Sequence, residues 1–293
     1  MSQSEGNNYQ MVGVVGAGAM GSGIAYAVAS ALECRVVVCD LDEAALNRGR
    51  STIAKHGQGT VSRGKASTTD VDRWIGYIEF RTGLDALAGA DVVVEAVFED
   101  LDVKRATFTQ LDHICQPAAL LTTNTSGLSV TAIAAATERP ERVVGTHFFN
   151  PVPSMKLVEV VRGLQTSNET AARAEAFCRA LGKEVCSVRD FPGFVTTRIG
   201  QAFIAEAIRC LEQGVADAEN IDRGVKLAYN YPLGPLELAD LIGLDVELHI
   251  LDSLASELGE RFLPSPLLRR LVAAGRLGRK SGGGFYELEA AHV

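Results

Sequence analysis

Through the first two thirds of the chain, apolar residues come in short runs separated by longer segments of mixed character. Met11 to Val15, Val36 to Cys39, Ala90-Asp91-Val92-Val93-Val94, Leu120 to Thr123 and Val143 to Phe148 are short, apolar and rich in valine. Such runs predict strands covered on both faces. Between them, residues 101–114 and 129–137 carry helical patterns. Strands alternating with helices predict an α/β fold with a mostly parallel, doubly wound sheet, whose ligands gather at the carboxyl ends of the strands. The polar residues following those ends are Glu99 and Lys104, then Asn124-Thr125-Ser126, then His147.

The texture changes after Asp190-Phe191-Pro192-Gly193. Over Phe194 to Gln213, apolar residues at 199, 203, 204, 207, 208 and 211 mark one face of a long helix. Further helices are predicted over 218–229, 235–254 and 265–275, broken by Pro232, Gly234, Pro235 and Pro264. The expected organisation is a lead over 1–10, a Rossmann-type domain over 11–190 and a smaller all-helical domain over 191–293. The apolar content of the helical part predicts a subunit interface; the alternative is that this surface packs only within its own chain.

The first apolar run enters a G-x-G-x-x-G turn at Gly16, Gly18 and Gly21, with Ala19 and Met20 inside it. An alanine-rich helical segment follows, and the second apolar run ends in Asp40, 24 residues after Gly16. That sequence of parts is a dinucleotide-binding unit. Glycines permit the turn and the approach of a pyrophosphate, and the helix N-terminus offers N–H groups to it. Asp40 suits the ribose hydroxyls and would repel an added phosphate. No arginine follows it, so the expected cofactor is NAD rather than NADP.

Composition narrows the classes. A formal charge of −8 argues against non-specific nucleic-acid or anionic-membrane binding, and no run approaches the length of a membrane span. Cysteines at 34, 39, 115, 178, 186 and 210 lack metal-ligand spacing and read as buried thiols, with no metal expected. The first ten residues, MSQSEGNNYQ, carry no targeting pattern, so the expected location is the cytoplasm.

Residues 143–161, VVGTHFFNPVPSMKLVEVV, hold the candidate chemistry. His147 ends one apolar run, prolines at 151 and 153 turn the chain, and Glu159 lies inside the next. A carboxylate in such a run needs a partner. A hairpin-like return would set Glu159 beside His147, holding one ring nitrogen as donor and leaving the other to accept a proton. The alternative on these residues alone is a core histidine satisfied by an acid.

The chain resembles the 3-hydroxyacyl-CoA dehydrogenase family, particularly its short monofunctional members. The resemblance is carried by GAGAMG at 16–21, VVVEAVFEDLDVKR at 92–105, TTNTSGL at 122–128, THFFNPVPSMKLVEVV at 146–161, DFPGFVTTR at 190–198, YPLGPLELADLIGLD at 231–245 and GRKSGGGFY at 278–286. It implies that His147 and Glu159 are a catalytic pair and that Ser126 hydrogen-bonds the reacting oxygen. Asn150 would help to place nicotinamide and substrate, while Glu99, Lys104 and Lys280 would contact NAD. It also implies an (S)-3-hydroxyacyl-CoA substrate, a place in fatty-acid metabolism and a homodimer. The family often has asparagine where this chain has Thr197, whose hydroxyl would face a small acyl group or serve only the start of a helix.

Between Ala44 and Thr69 there is no acidic residue, yet Arg48, Arg50, Lys55, Arg63 and Lys65 occur, with His56 among them. Arg63 and Lys65, flanking Gly64, are the expected contacts for CoA phosphates; the alternative is a solvated helical face. Two other readings stay open. One is a dehydrogenase of free hydroxy acids such as L-gulonate, and the other a non-catalytic, crystallin-like NAD-binding protein.

Overall fold

The computed structural model describes residues 9–287. The first eight residues of the expected lead lie outside that range. Two compact units divide the chain, Met1–Phe191 and Pro192–Val293.

The first unit is built on one eight-stranded sheet: β1 Met11–Val15, β2 Arg35–Asp40, β3 Ile78–Thr82, β4 Val92–Glu95, β5 Leu120–Thr123, β6 Val143–Phe148, β7 Leu157–Arg162 and β8 Glu184–Arg189. Their order is β3-β2-β1-β4-β5-β6-β7-β8. All neighbours run parallel except β6 and β7, which are antiparallel. Helices α1 Ala19–Leu32, α2 Glu43–Ser62, α3 Thr68–Gly76, α4 Leu101–Ile114, α5 Val130–Ala134 and α6 Asn168–Ala180 complete it.

The valine runs are explained by cover on both faces. Side chains alternate along a strand, so Val36 and Val38 join one buried cluster with Ile24, Val28 and Phe177. Val37 and Cys39 join the other, with Phe108, Leu111 and Leu121. The thiols fit this core role: burial pushes Cys34, Cys39 and Cys115 up to about 11 and Cys178 up to about 12, so they stay protonated at neutral pH. Cys186 and Cys210 are only partly buried.

The second unit is helical, with α7 Thr196–Glu212, α8 Ala218–Tyr229, α9 Pro235–Ile242, α10 Leu244–Leu258 and α11 Pro266–Ala273. Its core includes Ile204, Ile208, Leu236, Leu244, Leu251, Leu254, Phe262 and Leu268. The single helix expected over 235–254 is two. Gly243 sits at φ +109°, a conformation that ends α9 and starts α10.

Candidate active site

β1 delivers the glycine turn to α1, and the space around it is graded by position. Gly16 has φ +102°, and a Cβ there would lie 2.5 Å from the carbonyl oxygen of Ala96. At Gly21 a Cβ would lie 1.9 Å from the Gly16 carbonyl oxygen, so α1 sits hard on the turn. A Cβ at Gly18 would meet nothing within 4 Å, leaving an open approach to the backbone at the start of α1, where Ala19 and Met20 lie in the first turn. Tight below and open above, with a helix N-terminus behind it, this cradle fits a pyrophosphate.

Asp40 at the end of β2 does structural work as well. Its carboxylate accepts N–H bonds from Ala17, at 2.6 Å, and Leu41, at 2.7 Å. It thereby ties β2 to the glycine turn, and its remaining lone pairs suit ribose hydroxyls.

The antiparallel step in the sheet builds the acid–base pair. In the β6–β7 register His147 stands directly opposite Glu159. Their side chains meet, His147 Nδ1 to Glu159 Oε2, at 2.8 Å, with Glu159 wholly buried and His147 nearly so. A carboxylate against Nδ1 fixes the proton there and makes Nε2 the basic nitrogen, an assignment drawn from the bonding partners. The ring of Phe149 lies 4.4 Å from the imidazole, centroid to centroid. Asn150 follows on the exposed surface and precedes a cis Pro151.

Ser126 lies exposed in the loop after β5, and its backbone N–H bonds Glu99 Oε1 at 2.9 Å. Thr125 Oγ1 donates to the same oxygen at 2.6 Å. Lys104, expected to touch cofactor, is wholly buried: Nζ meets Glu95 Oε1 at 2.7 Å, the Asn124 carbonyl oxygen at 3.2 Å and Glu99 Oε2 at 3.4 Å. It turns inward because Glu95, at the buried end of β4, has nothing else to neutralise it. Burial drives the Glu95 carboxyl upward, against the opposing pull of Lys104, Thr123 and the Val97 N–H.

The cationic stretch lies along α2 and the turn after it. Arg50 is engaged, bonding Asn47 Oδ1 at 2.7 Å and lying over the Phe80 ring. Arg48 and Lys55 line a shallow concavity of about 450 Å³ with Asn47, Ser51 and Thr52. Arg63 ends the helix, and Gly64, at φ +65°, turns the chain into Lys65. Thr197 belongs to the first turn of α7 in the helical unit. Lys280, in the same unit, pairs with Asp245 at 2.7 Å.

Two participants escaped the sequence reading. Glu95 reads as the polar stop of an apolar run. Lys183, buried in the turn between α6 and β8, donates to the carbonyls of Val152 at 2.6 Å and Met155 at 2.8 Å, pinning the β6–β7 turn. Only contacts between distant segments reveal either. Among the described residues no cluster of ligands could hold a metal, and no helix is long and apolar enough to cross a membrane.

Comparison with known proteins agrees with this geometry. Residues 11–191 match the NAD-binding domain of 3-hydroxyacyl-CoA dehydrogenase, and 193–288 match its C-terminal domain. A probable 3-hydroxybutyryl-CoA dehydrogenase of Bacillus subtilis is 47% identical over 277 residues, covering 94% of this chain and 96% of that protein. The crystal structure of (S)-3-hydroxybutyryl-CoA dehydrogenase PaaH1 from Ralstonia eutropha superposes with a TM-score of 0.92 at 42% identity, covering 97% of this chain and all of that one. FadB2 of Mycobacterium tuberculosis gives the same TM-score at 44% identity, over 96% of this chain and 99% of that one. With a dinucleotide cradle, a carboxylate-held histidine and both domain models matched along the chain, this protein belongs to the 3-hydroxyacyl-CoA dehydrogenase family, NAD-dependent oxidoreductases.

Proposed function

We propose that this protein interconverts short-chain (S)-3-hydroxyacyl-CoA, such as 3-hydroxybutyryl-CoA, and the matching 3-oxoacyl-CoA. The carrying observation is the buried bond from His147 Nδ1 to Glu159 Oε2. In the oxidation, His147 Nε2 takes the hydroxyl proton as the hydrogen on C3 departs as hydride. Glu159 keeps the ring in the productive tautomer and stabilises the imidazolium that forms. Ser126 hydrogen-bonds the substrate oxygen, and Asn150 helps to orient substrate and nicotinamide. Bound NAD supplies the hydride acceptor; the chain supplies the Gly16–Gly21 cradle, Asp40 for the ribose and Glu99 nearby.

CoA phosphates are met by the cations after α2, with Arg63 and Lys65 as the leading pair and Arg48 and Lys55 adding positive potential. Thr197 offers a hydroxyl toward a small acyl group, and Lys280 a further cation toward the cofactor. Two copies associate through the helical unit, supported by its exposed apolar side chains Ile199, Val215, Leu227 and Tyr229.

The test is NADH oxidation with acetoacetyl-CoA, run beside free acetoacetate and a longer 3-oxoacyl-CoA. Turnover confined to the thioesters, fastest with the short one, is expected. Turnover of the free acid alone would move the protein to hydroxy acids, and NADH binding without any turnover would favour a structural role.

A further inference from the structure

The turn between β6 and β7 is held from two sides. Within it the Pro151 carbonyl accepts the N–H groups of Ser154, at 2.9 Å, and Met155, at 3.0 Å. On one side the buried Val152 side chain lies against α1 at Gly23, where a Cβ would stand 3.1 Å from Val152 Cβ. That notch is on the helix that begins at the Gly16–Gly21 cradle. On the other side stands Lys183, buried between α6 and β8, with Nζ donating to the carbonyls of Val152 and Met155. The N–H of the next residue, Glu184, donates to the Lys156 carbonyl at 2.8 Å. Burial draws the Lys183 ammonium below the ordinary lysine range. Among the described residues no carboxylate bonds it, so the two carbonyls and the C-terminal end of α6 are what compensate its charge.

This turn carries Asn150, which is exposed and one peptide link ahead of Pro151. Upstream, Phe148 is fixed by its N–H bond to Asn124 Oδ1 at 2.9 Å. Asn150 therefore sits between two anchored points, and its place relative to the cradle depends on how the turn is seated. We propose that Lys183 is a positioning residue: by holding the Pro151–Met155 turn against α1, it sets Asn150 relative to the dinucleotide cradle. The proposal rests on the reading that Asn150 orients substrate and nicotinamide. Without the ammonium, two carbonyls of the turn lose their donor, and the turn must shift to satisfy them. A displacement of about 1 Å at a group that orients reactants can cost about 100-fold in rate.

The test is a double-mutant cycle of Lys183→Met with Asn150→Ala, with kcat read at saturating NADH and acetoacetyl-CoA on cooperatively melting protein. With Asn150 in place, Lys183→Met should lower kcat roughly 10-fold or more. In the Asn150→Ala background the same change should cost less than about threefold, because the group it places is already gone. A residue that only stabilises the fold would lower the melting temperature equally in both backgrounds and leave kcat alone. A Lys183→Met loss below about threefold, or the same loss in both backgrounds, would overturn the proposal. Should Lys183→Met fail to melt cooperatively, Lys183→Gln, which keeps an N–H2 group on a shorter stem, runs the same cycle against the same criteria. Wild-type kcat in Asn150→Ala alone would sink the Asn150 reading and the proposal with it, a result distinct from additivity.

Discussion

Replacing Glu247 by glutamine should stabilise the helical unit at alkaline pH and leave it unchanged in mild acid. Glu247 lies in the first turn of α10 with no exposed surface. Neither of its carboxyl oxygens, nor the amide oxygen of buried Gln201 on α7, has a hydrogen-bond partner among the described residues. Burial pushes the carboxyl up to about 7 from an ordinary 4.5, against the opposing pull of the Gln201 amide. The folded value lies above the unfolded one, so folding favours the protonated acid. Its full stability contribution is therefore present below about pH 4.5 and is lost as pH rises toward 7. A difference of this size corresponds to about 3 kcal/mol, most of it lost between pH 5 and pH 7. Glutamine matches the neutral acid in shape and cannot ionise. Urea unfolding followed by far-UV circular dichroism, wild type and Glu247→Gln in parallel from pH 4.5 to 8.5, cancels every titration the two share. The variant should start level and finish about 3 kcal/mol more stable. A stability difference that stays flat across this range would refute the argument that Glu247 is buried without a compensating charge.

Two further outcomes follow from the cofactor and substrate regions. Gly21→Ala sets a methyl 1.9 Å from the Gly16 carbonyl oxygen, which is backbone and cannot yield cheaply; NADH binding should fall at least tenfold in a fluorescence titration, with a lower melting temperature. Arg63→Ala/Lys65→Ala removes the two cations after α2, so KM for acetoacetyl-CoA should rise about tenfold, more at low salt than at high, with NADH Kd unchanged.

Much of this was readable in advance because the relevant physics is local. Runs such as VVVC at 36–39 are apolar at every position, which a strand covered on both faces requires, and the glycine turn follows another of them, Met11 to Val15, directly. The pairing of His147 with Glu159 was legible because an acid in an apolar run demands a partner and two prolines supply the return. The edge strands were not. β3 carries Glu79 and Arg81, and β8 carries Glu184 and Arg189, so both are too polar for the pattern that marks interior strands. The break between α9 and α10 depends on one glycine's positive φ inside an otherwise continuous helical pattern. Lys104 and Glu247 look like ordinary solvated helix positions in the sequence; their burial is set by segments far away along the chain. The ion pair of Lys104 with Glu95 was equally illegible, because the sequence marks Glu95 only as the polar end of an apolar run.

The central claim is that His147, held by Glu159, is the base, and the most direct measurement is the kcat and NADH affinity of His147→Gln beside Glu159→Gln. NADH Kd should stay within about twofold of wild type for both. His147→Gln should lose about 1,000-fold or more in kcat, and Glu159→Gln should lose substantially, its residual activity showing an altered pH dependence. Turnover by His147→Gln within tenfold of wild type would contradict it, and the pair would then be no more than a core histidine and the acid that satisfies it.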